Sequence, residues 1–470
     1  MLRKFRFNIL ILLIIIFAVL KSICFLFQAD VWWDSAVYVG MGKHLFSNGQ
    51  FGLWEPIRPL TLPIILGFFW KIGLNPLIAG EIFILLVSVG VILLTYALSS
   101  KLFDKNTAVA ASILVAFSSL MLSLRYSIQV ETLTVFFLLL GFYFYLEKKK
   151  FVSGLVFGLA FLTKFPAAIF LIVIFITDTF HLFFNKEKFL AYFKKFFYMG
   201  VGFILVIFPY FIFNYFSYND ILFPLKSAQY VIDNVVSCNV LYKQPPYYYT
   251  PLILKDNFLF LFSIIGTAFV FFGKNKINKI QISFYAIASF IYFSSLGCKT
   301  ERYPILMLPF IAMLSGYGIV ELFGKLNKRY IKIALIIIFL ISLSLILNYA
   351  LNNAYQNSNN AEFYSYISDK EINGEVLTTN PFITMYTDTK LNLIYYPLYN
   401  SGIIDYYTDH INRNKSNISY IFVDTEDIPC HPKDFECPKK TIQFINLLKH
   451  NFKIFYYKKI NGNGQFIFSQ

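Results

Sequence analysis

The sequence predicts an all-α polytopic membrane domain followed by a small soluble α/β domain at the C-terminus. Hydrophobic residues make up 57% of the 470 residues and charged residues only 14%, whereas a soluble domain carries roughly 25% charged residues. Apolar runs of about 20 residues, the length that crosses a bilayer, recur up to about residue 350. Beyond that point Asn, Lys, Tyr and Asp become frequent. This composition excludes a secreted, cytosolic or disordered protein.

About eleven transmembrane helices are expected between residues 1 and 350. Their approximate bounds are 7–28, 77–98, 107–124, 132–146, 151–163, 166–184, 196–216, 252–272, 281–297, 303–323 and 333–350. The first run starts with basic residues, as a signal peptide does. Its apolar part is too long for one and no small-residue cleavage site follows, so a retained helix is expected.

The distribution of Lys and Arg predicts the orientation in the membrane. One further apolar run, 59–74, is short and contains two prolines. If it lies along the interface, the loops on one side hold 19 Lys and Arg in about 50 residues, and the opposite loops hold about ten in roughly twice that length. Cytoplasmic loops carry the excess of basic residues. The N-terminus is therefore expected in the cytoplasm, with 59–74 as an interfacial helix of the first outer loop.

Lys and Arg residues in the short loops between apolar runs account for the net charge of +15. The charge orients the chain in the lipid bilayer, which is an expected partner, and nucleic acid is not one.

Two domains are expected, a transmembrane domain over 1–350 and an extracytoplasmic α/β domain over 351–470. Short apolar segments alternate with helix-like stretches in the second domain. The five predicted strands are 375–379, 391–396, 419–424, 452–457 and 465–469. Cys430 and Cys437 lie in this part, and since disulfides persist outside the cytoplasm, they are expected to pair. Cys238 and Cys298 are a second candidate pair.

Two acidic residues on the predicted outer side are candidates for chemistry. Asp34 follows the first span and begins an amphipathic helix, either as its N-cap or as a reactive carboxylate held at a fixed angle by the cap. Glu131 lies in the turn before the fourth span, where an ionisable group is costly unless it meets water, a partner or substrate. The alternative is a solvated residue at the helix end. Glu81 is a third acid, for which a helix-end role is favoured.

Basic residues gather on the same predicted side: Arg58, Lys164, Lys299 and Arg302. For each of them the alternative to a binding role is that of a lipid headgroup anchor. Arg302 is the sharpest candidate, because a planar guanidinium at the outer membrane edge suits bidentate binding of a phosphate.

The order of these features resembles the GT-C class of integral-membrane glycosyltransferases. It is most similar to the branch that contains the protein O-mannosyltransferases and the aminoarabinose transferases that modify lipid A. Ser35 stands where that branch has a second acid, and Arg125 is the candidate for its basic residue before the later acidic turn. The matching residues are Asp34, Ala36, Tyr38 and Leu45; Arg58, Pro59, Leu60, Leu62 and Pro63; Glu131, Thr132, Leu133, Phe136 and Phe137; the segment GLAFLTK at 158–164; and Arg302, Tyr303 and Pro309.

The resemblance implies transfer of a sugar from a polyprenyl-phosphate carrier to a protein, lipid or glycan acceptor outside the cytoplasm. Direct displacement would invert the anomeric centre, with Asp34 as general base. The residues assigned are Asp34 and Glu131 for catalysis, Arg302, Arg58 and Lys164 for the donor phosphate, and Tyr38 and Tyr303 for the substrate pocket. A divalent metal would find oxygen ligands in Asp34 and Glu131, but the sequence has no metal-ligand spacing and a required cofactor is not expected.

Other functions are compatible with part of the pattern. A transporter or lipid flippase would place charges along an intramembrane path and often shows inverted repeats, whereas these charges gather at the outer surface. A non-catalytic glycan-binding scaffold and an oligosaccharide ligase are further alternatives. The outer loop 217–250, dense in Tyr and Pro, either contributes to the sugar or acceptor site or forms part of the interfacial aromatic belt.

Overall fold

A computed structural model of the chain describes residues 2–26, 31–122, 128–185, 189–234, 243–273, 277–326, 328–353, 360–370, 372–394, 399–460 and 463–470. By their contacts the residues form two compact units. The first, called the helical unit, comprises Met1–Gln28, Glu81–Leu222 and Gln244–Gln356, and the second, called the mixed unit, comprises Ala29–Gly80, Phe223–Lys243 and Asn357–Gln470. The expected division at residue 350 stays a prediction.

The described elements follow in chain order. The helices are α1 (Leu2–Leu26), α2 (Trp33–Phe46), α3 (Thr61–Lys71), α4 (Pro76–Leu102), α5 (Lys105–Ala116), α6 (Ser119–Leu122), α7 (Val130–Leu146), α8 (Lys150–Thr163), α9 (Ala168–Asn185), α10 (Phe189–Tyr218), α11 (Phe223–Asn234), α12 (Tyr249–Asp256), α13 (Phe262–Phe272), α14 (Ile277–Ser295), α15 (Leu308–Leu326), α16 (Lys328–Asn353), α17 (Asn360–Ser365), α18 (Ser401–Asn414) and α19 (Cys437–Asn451). The strands are β1 (Glu375–Thr378), β2 (Leu391–Leu393), β3 (Ile418–Asp424), β4 (Lys453–Ile460) and β5 (Asn463–Ser469).

The helices of the helical unit confirm a multi-pass membrane protein. Within the described residues, six helices are long and apolar enough to cross a membrane, and further apolar helices are shorter. Each expected span overlaps a described helix, and the number that crosses stays a prediction. Large apolar side chains are exposed along α10, among them Ile204, Leu205 and Phe208, as expected for a surface in contact with acyl chains.

Glycines let neighbouring helices of the helical unit approach closely. A Cβ atom on Gly266 of α13 would lie 1.9 Å from the carbonyl oxygen of Leu314 in α15, and one on Gly318 of α15 would lie 2.4 Å from that of Phe262. Lipid tails are as apolar as leucine, so close packing of small residues is a main source of helix association in membranes. The α13–α15 crossing therefore depends on these two glycines.

We expect Gly266→Ala to destabilise the protein by about 1–3 kcal/mol, because the added methyl group must push α13 away from α15. Thermal unfolding in detergent or nanodiscs measures the effect. Gly200→Ala in α10 is the matched control, since nothing lies within 4 Å of a Cβ atom there, and better helix propensity should leave it equal or slightly more stable. Equal melting temperatures for both variants would contradict the close crossing.

The mixed unit contains a five-stranded sheet in the order β2-β1-β3-β5-β4. Strand β1 runs parallel to β2 and β3, while β5 is antiparallel to β3 and β4. All five predicted strands are confirmed, and so is the fold class, a helical membrane part with a small α/β part. Cys430 and Cys437 form the predicted disulfide. Cys238 and Arg125 lie outside the described residues, as do residues 235–242 of the aromatic outer loop.

Candidate active site

The mixed unit brings together three of the predicted site residues, Asp34, Tyr38 and Arg58. Nη2 of Arg58 donates a hydrogen bond to Oδ1 of Asp34 at 2.7 Å, and the guanidinium carbon lies 5.5 Å from the centre of the Tyr38 ring. Nε of Arg58 donates to Glu55, an acid that was not identified from the sequence. We call Asp34, Tyr38, Glu55 and Arg58 the Asp34 cluster.

The Asp34 cluster carries one net negative charge in a largely dry environment. Glu55 is only 1% exposed and Asp34 is also buried, so both carboxylates need the guanidinium between them. Burial by itself lowers the pKa of Arg58, but the charges of Asp34 and Glu55 outweigh burial and hold that pKa well above its ordinary value. Arg58 is therefore a permanent cation that fixes two carboxylates.

The local structure corrects two expectations about α2. Its N-cap position is occupied by Trp32, and Asp34 lies inside the first turn, so the assignment of Asp34 as the N-cap is wrong. The helix is not amphipathic either, because every residue from Asp34 to Lys43 is buried. A carboxylate in the first turn still interacts favourably with the helix dipole.

The helical unit brings together the other four predicted residues, Glu131, Lys164, Arg302 and Tyr303, which we call the Glu131 cluster. Glu131 lies in the first turn of α7 and accepts a hydrogen bond from Nζ of Lys164. Nε of Arg302 lies 3.4 Å from the same oxygen, Oε1, and the Lys164 ammonium lies 4.7 Å from the centre of the Tyr303 ring. One carboxylate between two cations leaves a net charge of about +1.

The backbone places both cations of the Glu131 cluster at helix breaks. Lys164 is the C-cap of α8, in an extended conformation, and is followed by a 3₁₀ turn that contains Pro166. Arg302 likewise precedes a 3₁₀ turn that contains Pro304. Proline favours such a break because it has no N–H to continue a helix. A cation at the C-terminus of a helix also complements the helix dipole.

Glu131 is fully buried in the structure, so the alternative of a solvated helix-end residue is wrong. Among the described residues, its second oxygen, Oε2, has no hydrogen-bond partner. A buried acceptor without a donor is costly, and a substrate hydroxyl is a group that could satisfy it.

Two further buried ionisable side chains of the helical unit bind backbone groups that precede α7 in the chain. Glu81 of α4 accepts the backbone N–H of Ile128 at 2.7 Å. Lys21 of α1 donates to the carbonyl oxygens of Met121 and Leu122 at 3.1 and 2.9 Å. Lys21 was not identified from the sequence, although a lysine inside an apolar helix is itself a sign of a buried partner.

Two further features of the described residues belong to neither the Asp34 cluster nor the Glu131 cluster. Lys299, a candidate headgroup anchor, is buried and donates to the carbonyl oxygen of Leu296. A cavity of about 300 Å³ in the mixed unit has an entirely different lining, namely Gly374, Glu375, Lys390, Asn392, His410, Asn414 and Asn417. Among the described residues, no group of three or more His, Cys, Asp or Glu is placed to hold a metal ion.

Comparison with known proteins finds a similarity in part of the sequence and in the fold. Residues 57–213, about a third of the chain, match a family described as dolichyl-phosphate-mannose-protein mannosyltransferase. The matched segment includes Arg58, Glu131 and Lys164. No curated protein matches this chain by sequence.

Two solved structures show the same fold over nearly the whole chain. ArnT from Cupriavidus metallidurans, bound to undecaprenyl phosphate, aligns with a TM-score of 0.67 at 10% identity and covers 98% of this chain and 97% of that one. The oligosaccharyltransferase of Archaeoglobus fulgidus, in complex with Zn and sulfate, aligns with a TM-score of 0.59 at 15% identity, over 97% of this chain and 72% of that one. The expected resemblance to GT-C glycosyltransferases is confirmed.

Removal of the Glu131 charge should destabilise the fold, because Lys164 and Arg302 would be left without their shared partner. We expect Glu131→Gln to cost about 3–5 kcal/mol, the range for a broken buried ion pair, measured by thermal unfolding in nanodiscs. The control is Glu147→Gln, the same chemical change in an exposed ion pair with Lys101, which should change stability little. A Glu131→Gln protein as stable as that control would mean that the two half-buried cations need no carboxylate.

Proposed function

We propose that this protein transfers a sugar from a polyprenyl-phosphate carrier to an acceptor on the extracytoplasmic side of the membrane. The observation that carries the proposal is the Glu131 cluster, a buried site with a net positive charge built from two cations at helix breaks. The proposal is supported by the fold that the chain shares with ArnT, whose structure holds undecaprenyl phosphate.

The charge of the Glu131 cluster fits the chemistry of such a donor. A polyprenyl-phosphate sugar is a phosphodiester with one negative charge, and cleavage of its bond to the sugar leaves a phosphate monoester with additional negative charge. A net charge of about +1 from Lys164, Arg302 and Glu131 therefore stabilises the transition state more than the ground state. We assign Arg302 and Lys164 to the phosphate and the Glu131 Oε2 atom to a substrate hydroxyl.

The Asp34 cluster fits the second requirement, removal of a proton from the attacking hydroxyl. An acceptor hydroxyl must lose its proton as it attacks the anomeric carbon, which calls for a carboxylate within hydrogen-bond reach. Asp34 is our candidate for this base, in a single displacement that inverts the anomeric centre. Since Arg58 is already shared by Asp34 and Glu55, we assign it to holding Asp34 in place instead of to the donor phosphate.

Two observations support the placement of the proposed reaction on the extracytoplasmic side of the membrane. The disulfide between Cys430 and Cys437 belongs to the mixed unit, and structural disulfides are rare in the cytosol. The mixed unit also contains Asp34, and the excess of Lys and Arg lies on the opposite loops of the predicted topology.

Asp34→Asn should strongly reduce sugar transfer, because the amide keeps the shape but is not a base. The chain should stay folded, since Arg58 keeps Glu55 as its partner. We expect a loss of about 100-fold in the release of free polyprenyl phosphate, equal to roughly 3 kcal/mol in activation free energy. The measurement uses purified protein in lipid, a panel of polyprenyl-phosphate sugars and a membrane extract that supplies acceptors. Free polyprenyl phosphate is released whichever acceptor receives the sugar, so the acceptor need not be identified.

The matched control for this substitution is Asp409→Asn, which changes an exposed carboxylate of α18 and should retain full activity. Equal release of free polyprenyl phosphate by wild type and Asp34→Asn would show that Asp34 is not the base. If the folded wild-type protein releases polyprenyl phosphate from no donor, the transferase proposal fails. Movement of a labelled lipid-linked sugar across the bilayer would then support the flippase alternative.

Arg302→Gln should weaken the use of the donor more than any acceptor step, because the phosphate loses one of its two cations. We expect kcat/KM for the donor to fall about 10–100-fold, the effect of losing a charged hydrogen bond. Arg302→Lys should recover part of this loss, since a lysine keeps the charge but not the bidentate geometry. Arg413→Gln, an exposed arginine of α18, is the control, and an equal donor kcat/KM in Arg302→Gln would refute the phosphate assignment.

A further inference from the structure

We infer that Lys43 and the segment Pro381–Asp388 form a strut within the mixed unit, through which its C-terminal part positions Asp34 for catalysis. The inference rests on the proposed function and goes beyond it, because it assigns a role to residues that touch no reacting atom. Lys43 and Thr384 are positioning residues in this scheme.

One face of α2 lies directly on this segment. Ala36, Gly40 and Lys43 are spaced so that they fall on a single face of the helix. The Thr384 hydroxyl donates to the carbonyl oxygen of Ala36 at 3.0 Å. A Cβ atom on Gly40 would lie 2.8 Å from the Thr384 methyl group, so the glycine is what allows the approach.

The Lys43 ammonium is the strongest link between the two segments. Lys43 is 5% exposed, and a buried ammonium is unfavourable unless acceptors surround it. Nζ donates to the carbonyl oxygens of Thr384 at 2.6 Å and Thr387 at 3.0 Å, and it lies 2.7 Å from Oδ1 of Asp388. Three acceptors from one short segment fix where the C-terminal half of α2 can lie.

The strut is in turn anchored to the sheet. The side-chain oxygen of Asn380 accepts the N–H of Phe382, which caps the 3₁₀ turn Pro381–Met385, and its amide donates to Asp427 at 2.9 Å. The segment therefore begins at the end of β1 and is tied to residues that follow β3. A shift of the C-terminal ends of β1 and β3 would therefore be transmitted to α2.

The start of the edge strand β2 also holds the chain that carries Glu55 and Arg58. The N–H of Gly52 donates to the carbonyl oxygen of Thr389 at 2.8 Å, and the N–H of Leu391 donates to the carbonyl oxygen of Gly52 at 2.9 Å. Both partners of the 2.7 Å contact between Asp34 and Arg58 are thus attached to one run of residues, 381–391. Residues 381–391 therefore determine the position of the Asp34 carboxylate relative to the Arg58 guanidinium.

The test uses a matched pair of substitutions at Thr384 together with Lys43→Met. Thr384→Val removes the hydroxyl and keeps the shape, while Thr384→Ser keeps the hydroxyl. We expect kcat to fall about 10-fold in Thr384→Val and about 30-fold in Lys43→Met, with the donor KM within about twofold of wild type, and near wild-type activity in Thr384→Ser. Lys440→Met, which removes an exposed ion pair of α19, is the control.

A readout specific to positioning is the pH dependence of kcat. When Asp34 loses firm contact with Arg58, its carboxylate is protonated more easily, so the acidic limb of the profile should shift to higher pH in Lys43→Met and Thr384→Val. A merely structural role would lower the melting temperature without moving this limb. The limb should stay in place in Thr384→Ser.

Hydrogen exchange tests the strut without any need for activity. The amides of α2 should exchange at least about 10-fold faster in Thr384→Val and Lys43→Met, while those of β3 and β5 keep their protection. If wild type transfers no sugar, the proposed function fails and this measurement still decides the inference. Unchanged exchange of α2 in both variants, or unchanged kcat together with an unmoved limb, would overturn it.

Discussion

The need to give every buried charge close polar partners is the constraint on which the described architecture depends. In the helical unit Glu131 is fully buried between Lys164 and Arg302, and in the mixed unit Arg58 is shared by two buried carboxylates. An ion taken out of water is tolerated only with close partners and good geometry. Each cluster consequently dictates where helices may break and how closely neighbouring segments must approach.

The two clusters have opposite net charges, and this difference separates their chemistry. In the Glu131 cluster one carboxylate offsets only one of the two cations, so the site keeps a positive charge that attracts an anion. Two carboxylates around one guanidinium form a fixed acceptor of protons or hydrogen bonds. In the proposed reaction, phosphate departure is assigned to the positively charged Glu131 cluster and proton removal to the negatively charged Asp34 cluster.

The fold was largely predictable from sequence, because long apolar runs and short alternating segments report local structure directly. The apolar helices, the five strands and the disulfide of Cys430 with Cys437 were found this way. The errors concern Asp34, whose N-cap assignment assumed a surface helix, whereas α2 is buried on all sides. Glu55 and Lys43 were missed because their partners depend on tertiary contacts, and no local pattern encodes a bond from Lys43 to Thr384, 341 residues away.

This large separation along the chain has a consequence for synthesis of the protein. At roughly 5–20 residues per second, a ribosome needs about 20–70 s to proceed from Lys43 to Thr384. During that interval α2 and its acid are already made, while the carbonyl groups that will receive the Lys43 ammonium do not yet exist. The nascent segment must therefore persist without these acceptors, and the Asp34 cluster reaches its final geometry only after nearly the whole chain has been translated.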